Sequence, residues 1–246
     1  MLKTLGDGGP RMDLRNQGFA VLDQVLDGQE CLAVVNELES ALSSMSEGPI
    51  ESKRGGLVGG RNLLSVWNGW KVITGCPDVS LLVEQCLGSE AGIVRALYFD
   101  KPPGSGWSLP MHRDKTIAVA AHCDPVKPFA KPTRKAGVPH VEATESLLHS
   151  MLTLRLHLDP MREDNGPLMV VPQSHRDGSV EQQGNTEIIQ CQAGDVLAMR
   201  PLLLHASLAA HRDTRFHRRV VHLELVSSRE LPGDYNWHMF LPISAR

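Results

Sequence analysis

Aromatic residues are scarce in this chain. Two tyrosines, five phenylalanines and four tryptophans serve 246 residues, so the core must be built chiefly from aliphatic side chains. An excess of one charge sign is lacking too: 25 Lys and Arg stand against 28 Asp and Glu, a net charge of −3. That balance gives no electrostatic footprint for nucleic acid or for an anionic membrane surface. No apolar run approaches the roughly 18 residues of a membrane span. The opening MLKTLGDGGPRMDL has no apolar stretch of the signal-peptide kind. The five cysteines (Cys31, Cys76, Cys86, Cys123 and Cys191) are odd in number and form no C-x-x-C pair. They read as reduced thiols, and a cytoplasmic protein is expected. No repeat or low-complexity segment occurs. The stretch Gly55-Gly56 to Gly59-Gly60 has no Lys-Ser/Thr after it, which excludes a phosphate-cradling loop and leaves a plain loop.

What is present fits one globular domain over 1–246. Hydrophobic residues make up 41% and charged residues 22%, ordinary values for a chain able to bury a full core. Residues 1–17 are polar and glycine-rich and read as a flexible arm. Gly18 to Leu22 reads as a strand. Asp27 with Glu30 forms a capping box, and Leu32, Val35, Leu38 and Leu42 follow at helical spacing. A second helix is expected near Pro77 to Leu87, stopped by Gly88. Residues 18–90 thus form a helical cap. From Gly92 the texture becomes strand-like. Strands are expected near Ile93–Phe99, Leu109–Asp114, Thr116–Ala121, Met151–Asp159, Leu168–Val171, Thr186–Gln190, Val196–Met199 and Arg218–Val226, separated by Gly and Pro turn signals. About eight short strands over 91–230 behind helices is the pattern of a mainly β jelly roll, with the N-terminal helices packed on one sheet. Residues 122–145 hold four prolines and no periodicity, and read as a long functional loop of the lid kind.

Eleven histidines invite a metal reading. On a strand, residues i and i+2 share a face, so His-x-Asp or His-x-Glu can chelate one ion. Six such pairs occur: His112/Asp114, His122/Asp124, His140/Glu142, His157/Asp159, His211/Asp213 and His222/Glu224. Composition alone supplies about one, so context must choose. His112-Arg113-Asp114 ends a strand and precedes the apolar run from Thr116 to Ala121. A carboxylate there faces a hydrophobic interior and needs a partner such as a metal. The pairs at 122 and 140 flank the proline-rich loop and are expected to be exposed. His157 alternates with Leu152, Leu154, Leu156 and Leu158, so it points away from the leucine face, and it stays in reserve as a cavity residue. His205 lies in the apolar run Leu202-Leu203-Leu204-His205-Ala206-Ser207 and reads either as a satisfied core histidine or as a third ligand. Arg218 and Arg219 open the last long strand. An arginine entering a barrel interior must find an anion; on the rim it would pair with surface acids.

These residues, in this order, resemble the phytanoyl-CoA dioxygenase family of iron(II)- and 2-oxoglutarate-dependent oxygenases, in particular its small bacterial members. The resemblance begins at Gly18-Phe19-Ala20-Val21-Leu22-Asp23 and continues through Arg95 to Lys101 and His112-x-Asp114. It then takes in the turn Asn165-Gly166-Pro167-Leu168 with Pro172-Gln173-Ser174-His175, and closes with His205-x-Ser207 and the arginine-led strand. It implies a double-stranded β-helix of the cupin-like kind. It implies His112, Asp114 and His205 as iron ligands, and Arg218, assisted by Ser207, as the grip on the distal carboxylate of 2-oxoglutarate, with Arg219 as the alternative. The implied cofactors are Fe(2+), 2-oxoglutarate and O2, with ascorbate as a candidate reductant. The implied outcome is hydroxylation of a small organic molecule through an iron(IV)-oxo species, releasing succinate and CO2; desaturation and cyclisation stay open. Related halogenases replace the ligand carboxylate by Gly or Ala, so Asp114 points to hydroxylation. Gln173 departs from the glycine common in that turn.

The cavity mouth is expected from Arg61 to Trp70, Ala121 to Thr144 and the neighbourhood of Thr153. Trp67, Trp70 and Trp107 are candidates for an apolar wall, core packing being the plainer role, and Arg61 or Lys101 for anchoring an acidic group. Small-molecule substrate, no nucleic acid, no membrane, and a monomer or homodimer complete the expectation. Two other readings of the barrel are a metal-binding cupin-like non-oxygenase and a non-catalytic binding barrel.

Overall fold

The structure, a computed structural model, describes residues 13–52, 55–104, 107–176 and 185–243. Along the chain come α1 (Leu14–Gln17), β1 (Phe19–Leu22), α2 (Gly28–Ser43), β2 (Pro49–Glu51), β3 (Leu57–Gly60), α3 (Trp70–Gly75) and α4 (Pro77–Leu87). The strands β4 (Gly92–Lys101), β5 (Leu109–His112), β6 (Thr116–Ala118), β7 (Ala130–Lys135) and β8 (Val138–Glu142) follow, then α5 (Glu145–His149). The rest is β9 (Met151–His157), β10 (Leu168–Val170), β11 (Glu187–Ile188), β12 (Val196–Met199), β13 (His205–Ser207), β14 (Arg218–Val226) and β15 (Leu241–Pro242).

Eight strands make the major sheet in the order β1-β12-β9-β14-β4-β3-β2, with β15 also on β4. Four make the minor sheet, β11-β10-β13-β5. The two form a double-stranded β-helix. Period-2 alternation divides the labour on β9 and β14. Leu152, Leu154 and Leu156, with Val221, Leu223 and Leu225, pack outward against the helices. Thr153, Arg155 and His157, with Arg218 and His222, are left on the other face, and all five are buried. Polar side chains buried on that face need partners there.

The helices sit on the outer face of the major sheet. Asp27 caps α2: its carboxylate accepts from Gln29 and Glu30 backbone N–H, while Glu30 reaches back to the Asp27 N–H. The buried stripe is Cys31, Val34, Val35, Leu38 and Leu42. Leu32, expected there, is 58% exposed; it lies one residue, about 100° of helix, off a stripe that Cys31 fills instead. α4 runs from Pro77 to Leu87 with Gly88 as its C-cap, where it was expected.

Five expectations change. Leu14–Gln17, inside the supposed arm, forms a helical turn capped by Asp13; residues 1–12 lie outside the described residues. The glycine-rich stretch is not a plain loop: Leu57–Gly60 is a strand on β4, because Gly59 and Gly60 let the backbone approach closely, a Cβ at Gly59 lying 2.7 Å from the Tyr98 carbonyl oxygen. Segment 18–90 therefore supplies three strands as well as helices. The proline-rich stretch is not a structureless lid either. Its β7–β8 hairpin joins β6 in a third sheet, turned at Ala136 and Gly137, both left-handed. Its prolines hid the alternation. His140, expected to be exposed, is buried in that sheet at 2%.

Candidate metal centre and its cavity

Cross-strand pairing brings the first constellation together. On the minor sheet His205 of β13 lies directly opposite His112 of β5, and their rings stand 4.2 Å apart. Asp114 lies just past the end of β5, its N–H donated to the Pro201 carbonyl at 2.9 Å. His112, Asp114 and His205 offer three ligand atoms all within 4.8 Å of one another.

The hydrogen bonds say what these atoms want. His112 Nδ1 lies 2.8 Å from the Pro110 carbonyl and His205 Nδ1 2.8 Å from the Leu203 carbonyl. A carbonyl only accepts, so each Nδ1 donates and each Nε2 presents a lone pair. Both Nε2 atoms face the Asp114 carboxylate at 3.7 Å, and Asp114 Oδ2 is buried with no hydrogen-bond partner. Three acceptors converging with no donor between them is an arrangement that a cation resolves. The donor set, two imidazoles and one carboxylate with the remaining sides open to a cavity, suits iron(II). The Pro110 and Leu203 carbonyls fix both rings, as metal-bound histidines require. Burial pushes the His205 imidazole down to about 4, against the pull of Asp114, so it is neutral and able to ligate. Burial alone would raise the Asp114 carboxyl; His205, His222, Arg155 and His112 outweigh it and hold the group below its ordinary range.

The same cavity runs on past Leu97, Phe99 and Leu168 to Arg218. Strand alternation separates the two arginines. Arg219 turns outward into a bidentate pair with Asp159, Nε to Oδ2 at 2.8 Å and Nη2 to Oδ1 at 2.7 Å. Arg218 turns inward and is 1% exposed; its Nη2 donates to Ser207 Oγ at 3.2 Å, while Nε and Nη1 have no partner. Burial lowers the Arg218 pKa, and Arg155 adds to the effect. An arginine stays charged nonetheless, so this end of the cavity calls for an anion.

Lys101, expected at the mouth, sits instead beside Arg218. It is fully buried, donates to Ser207 Oγ at 2.9 Å and to the Leu208 carbonyl, and lies 4.2 Å above the Trp107 ring. Burial first, then Arg218 and Arg155, pushes its ammonium down to about 7. Of the tryptophans, Trp107 lines the cavity, whereas Trp67 and Trp70 are packed in the core under the helices. His157 is buried on the inward face with both ring nitrogens unpartnered, outside the three-ligand group. His222 Nε2 lies 3.3 Å from the Glu224 carboxylate, which holds Arg95.

Arg155 is the cavity residue that the sequence leaves unremarked. It lines the cavity, is 8% exposed, and makes no hydrogen bond or ion pair among the described residues. Its signal was available: the alternation that sends His157 inward sends Arg155 with it.

The model of one protein family, phytanoyl-CoA dioxygenase (PhyH), matches residues 14–220. No curated protein matches the chain. Among solved structures the chain is similar to AviO1 from Streptomyces viridochromogenes Tue57, at 19% identity over 89% of this chain and 94% of that one, with a TM-score of 0.61. It is also similar to the non-heme alpha ketoglutarate dependent epimerase SnoN from nogalamycin biosynthesis, at 17% identity over 90% and 85%, TM-score 0.61. EctD from S. alaskensis with bound Fe gives 16% identity over 87% and 74%, TM-score 0.65. At these identities the likeness is one of fold.

Proposed function

The chain belongs to the phytanoyl-CoA dioxygenase family, and from that premise we propose that it is an iron(II)- and 2-oxoglutarate-dependent oxygenase that hydroxylates a small organic molecule. The observation that carries this reading is a juxtaposition within one cavity. Three acceptor atoms converge at His112, Asp114 and His205, and a buried, under-bonded guanidinium waits at Arg218. Iron(II) with 2-oxoglutarate and O2 supplies oxidising power when bound, with succinate and CO2 as by-products. His112 Nε2, His205 Nε2 and the Asp114 carboxylate would hold the ion. Arg218 would take the distal carboxylate by charge-assisted hydrogen bonds, with Ser207 held in place beneath it by both Arg218 and Lys101. Leu97, Phe99 and Leu168 keep that stretch of the cavity apolar, which excludes water and strengthens the pairing. A carboxylate at 114 leaves no vacancy for a halide, which favours hydroxylation.

The test is 2-oxoglutarate turnover under air with iron(II). Succinate release that depends on added iron, and falls by at least about a hundredfold (roughly 2.7 kcal/mol) in Asp114→Ala, supports the reading. Metal-loaded protein that releases no succinate with any substrate class supports a cupin-like non-oxygenase instead.

A further inference from the structure

Beside one end of the cavity, positive charge outnumbers the acids that balance it. Arg95 of β4 lines the cavity and is bonded to Glu224, its partner across the β4–β14 pair. Two further cations, outside the cavity lining, sit on segments next to it. Lys135, at the end of β7, donates to Thr116 Oγ1 at 3.2 Å, two residues beyond Asp114. Arg61 leads into Asn62, whose Nδ2 donates to the Ala136 carbonyl at 3.0 Å and so ties that segment to the Lys135 hairpin. Both cations are half-buried, and neither has an ion-pair partner among the described residues. Lys135 is lowered by burial, then by Arg95 and Arg61; Arg61 is lowered by burial, then by Arg95. The acids nearby are committed: Glu224 to Arg95 and His222, and Glu142 to Lys131. Glu47 lies against the outer turn of the hairpin, at Gly137. His140, between these groups, is held neutral, burial pushing it down to about 4.

The cluster lies at the opposite end from the Arg218 pocket. Along β14 the Glu224–Arg95 row is six residues, about 20 Å, from Arg218. The metal ligands lie between, Asp114 feeling both His222 and Arg155. Leu97, opposite His222 on the β4–β14 pair, supplies apolar wall on this side.

We infer that the substrate is an oxyanion with an apolar body, a carboxylic acid or a phosphate monoester, whose charged group is held by Arg61, Arg95 and Lys135 on the side of the metal centre away from Arg218. Partly desolvated cations in surplus stabilise an anion more than solvent-exposed ones do. The inference rests on the oxygenase reading for which end of the cavity admits substrate.

The test is calorimetric binding to the chain loaded anaerobically with iron(II) and 2-oxoglutarate, so that the Arg218 end is filled. The probes are phenyl phosphate, benzoate, neutral benzyl alcohol and cationic benzylamine. At least one of the two acids should bind while the alcohol and the amine do not, and the tighter acid names the class. The double variant Arg61→Ala/Lys135→Ala should weaken that acid by at least about tenfold, while Lys71→Ala, at an exposed position of the outer helix α3, leaves it unchanged. The inference is overturned if the alcohol or the amine binds as tightly as the acids, if neither acid binds, or if the double variant keeps wild-type affinity. The visible band of the iron chelate, read in the same samples, shows that the variant is folded and separates two failures. A band without acid binding removes the oxyanion site alone. Acid binding lost in the double variant, with no band even in the wild type, removes the oxygenase reading and leaves the site standing.

Discussion

Gln173 holds a left-handed backbone, φ 68°, in the turn after β10. An L side chain pays of order 1 kcal/mol for that conformation. The turn is retained because its neighbours are fixed: Gln173 N–H donates to the Gln17 carbonyl at 2.9 Å, and Ser174 Oγ ties the Val171 carbonyl to the Leu204 N–H. The Ser174 contacts reach the residue next to His205. Gln173 is itself exposed, so glycine there removes strain and no packing. Gln173→Gly should raise stability by up to about 1 kcal/mol, the gain in strain being partly offset by chain entropy, and Gln173→Val should lower it by about as much. Thermal melts of the two variants check this; a glycine variant that melts below the valine variant contradicts it. The departure from glycine was visible in the sequence, but its backbone angle was not, because a lone Gln carries no φ signal.

At the scale of the element, what was legible was periodicity. The leucine alternation of β9 gives its inward face correctly, and the Asp27 capping box gives the start of α2. The same alternation in β14 decides between Arg218 and Arg219, but only once the strand's register against β9 and β4 is known. Register is a long-range property that local sequence does not carry. The short elements were lost for the same kind of reason. β13 is three residues within an apolar run, too short for a period to declare itself, and it reads equally as core. The β7–β8 hairpin, interrupted by Pro132 and Pro139 and bulged between Ala130 and Thr133, breaks the alternation that would announce it. That Lys101, a candidate anchor for an acidic group, lies beside Arg218 is not legible either, because the end of a strand does not say which end of the barrel it reaches.

Across the whole molecule, burial of neutral histidines sets a pH dependence. His140 and His205 are each pushed by burial down to about 4, and His157 well below its ordinary value. In the unfolded chain all three return to the free imidazole value of about 6.5. Between about pH 6.5 and 4 the unfolded chain therefore binds protons that the folded chain refuses, and stability falls as pH falls. Each such group costs up to about 1.4 kcal/mol per pH unit in that window. The metal-free chain should melt several degrees lower at pH 5 than at pH 7.5, a comparison that scanning calorimetry makes directly; equal melting temperatures would mean that these imidazoles are not buried neutral. Among the described residues, no helix is long and apolar enough to cross a membrane.

Whether one cavity joins a three-residue iron site to a dicarboxylate grip is read from an anaerobic absorption spectrum. Iron(II) and then 2-oxoglutarate are added to the wild-type chain and to Arg218→Ala. A visible charge-transfer band is expected at one iron per wild-type chain, and Arg218→Ala should need at least about tenfold more 2-oxoglutarate to reach it. A wild-type chain that binds iron yet shows no such band at any concentration of the 2-oxo acid would contradict that expectation.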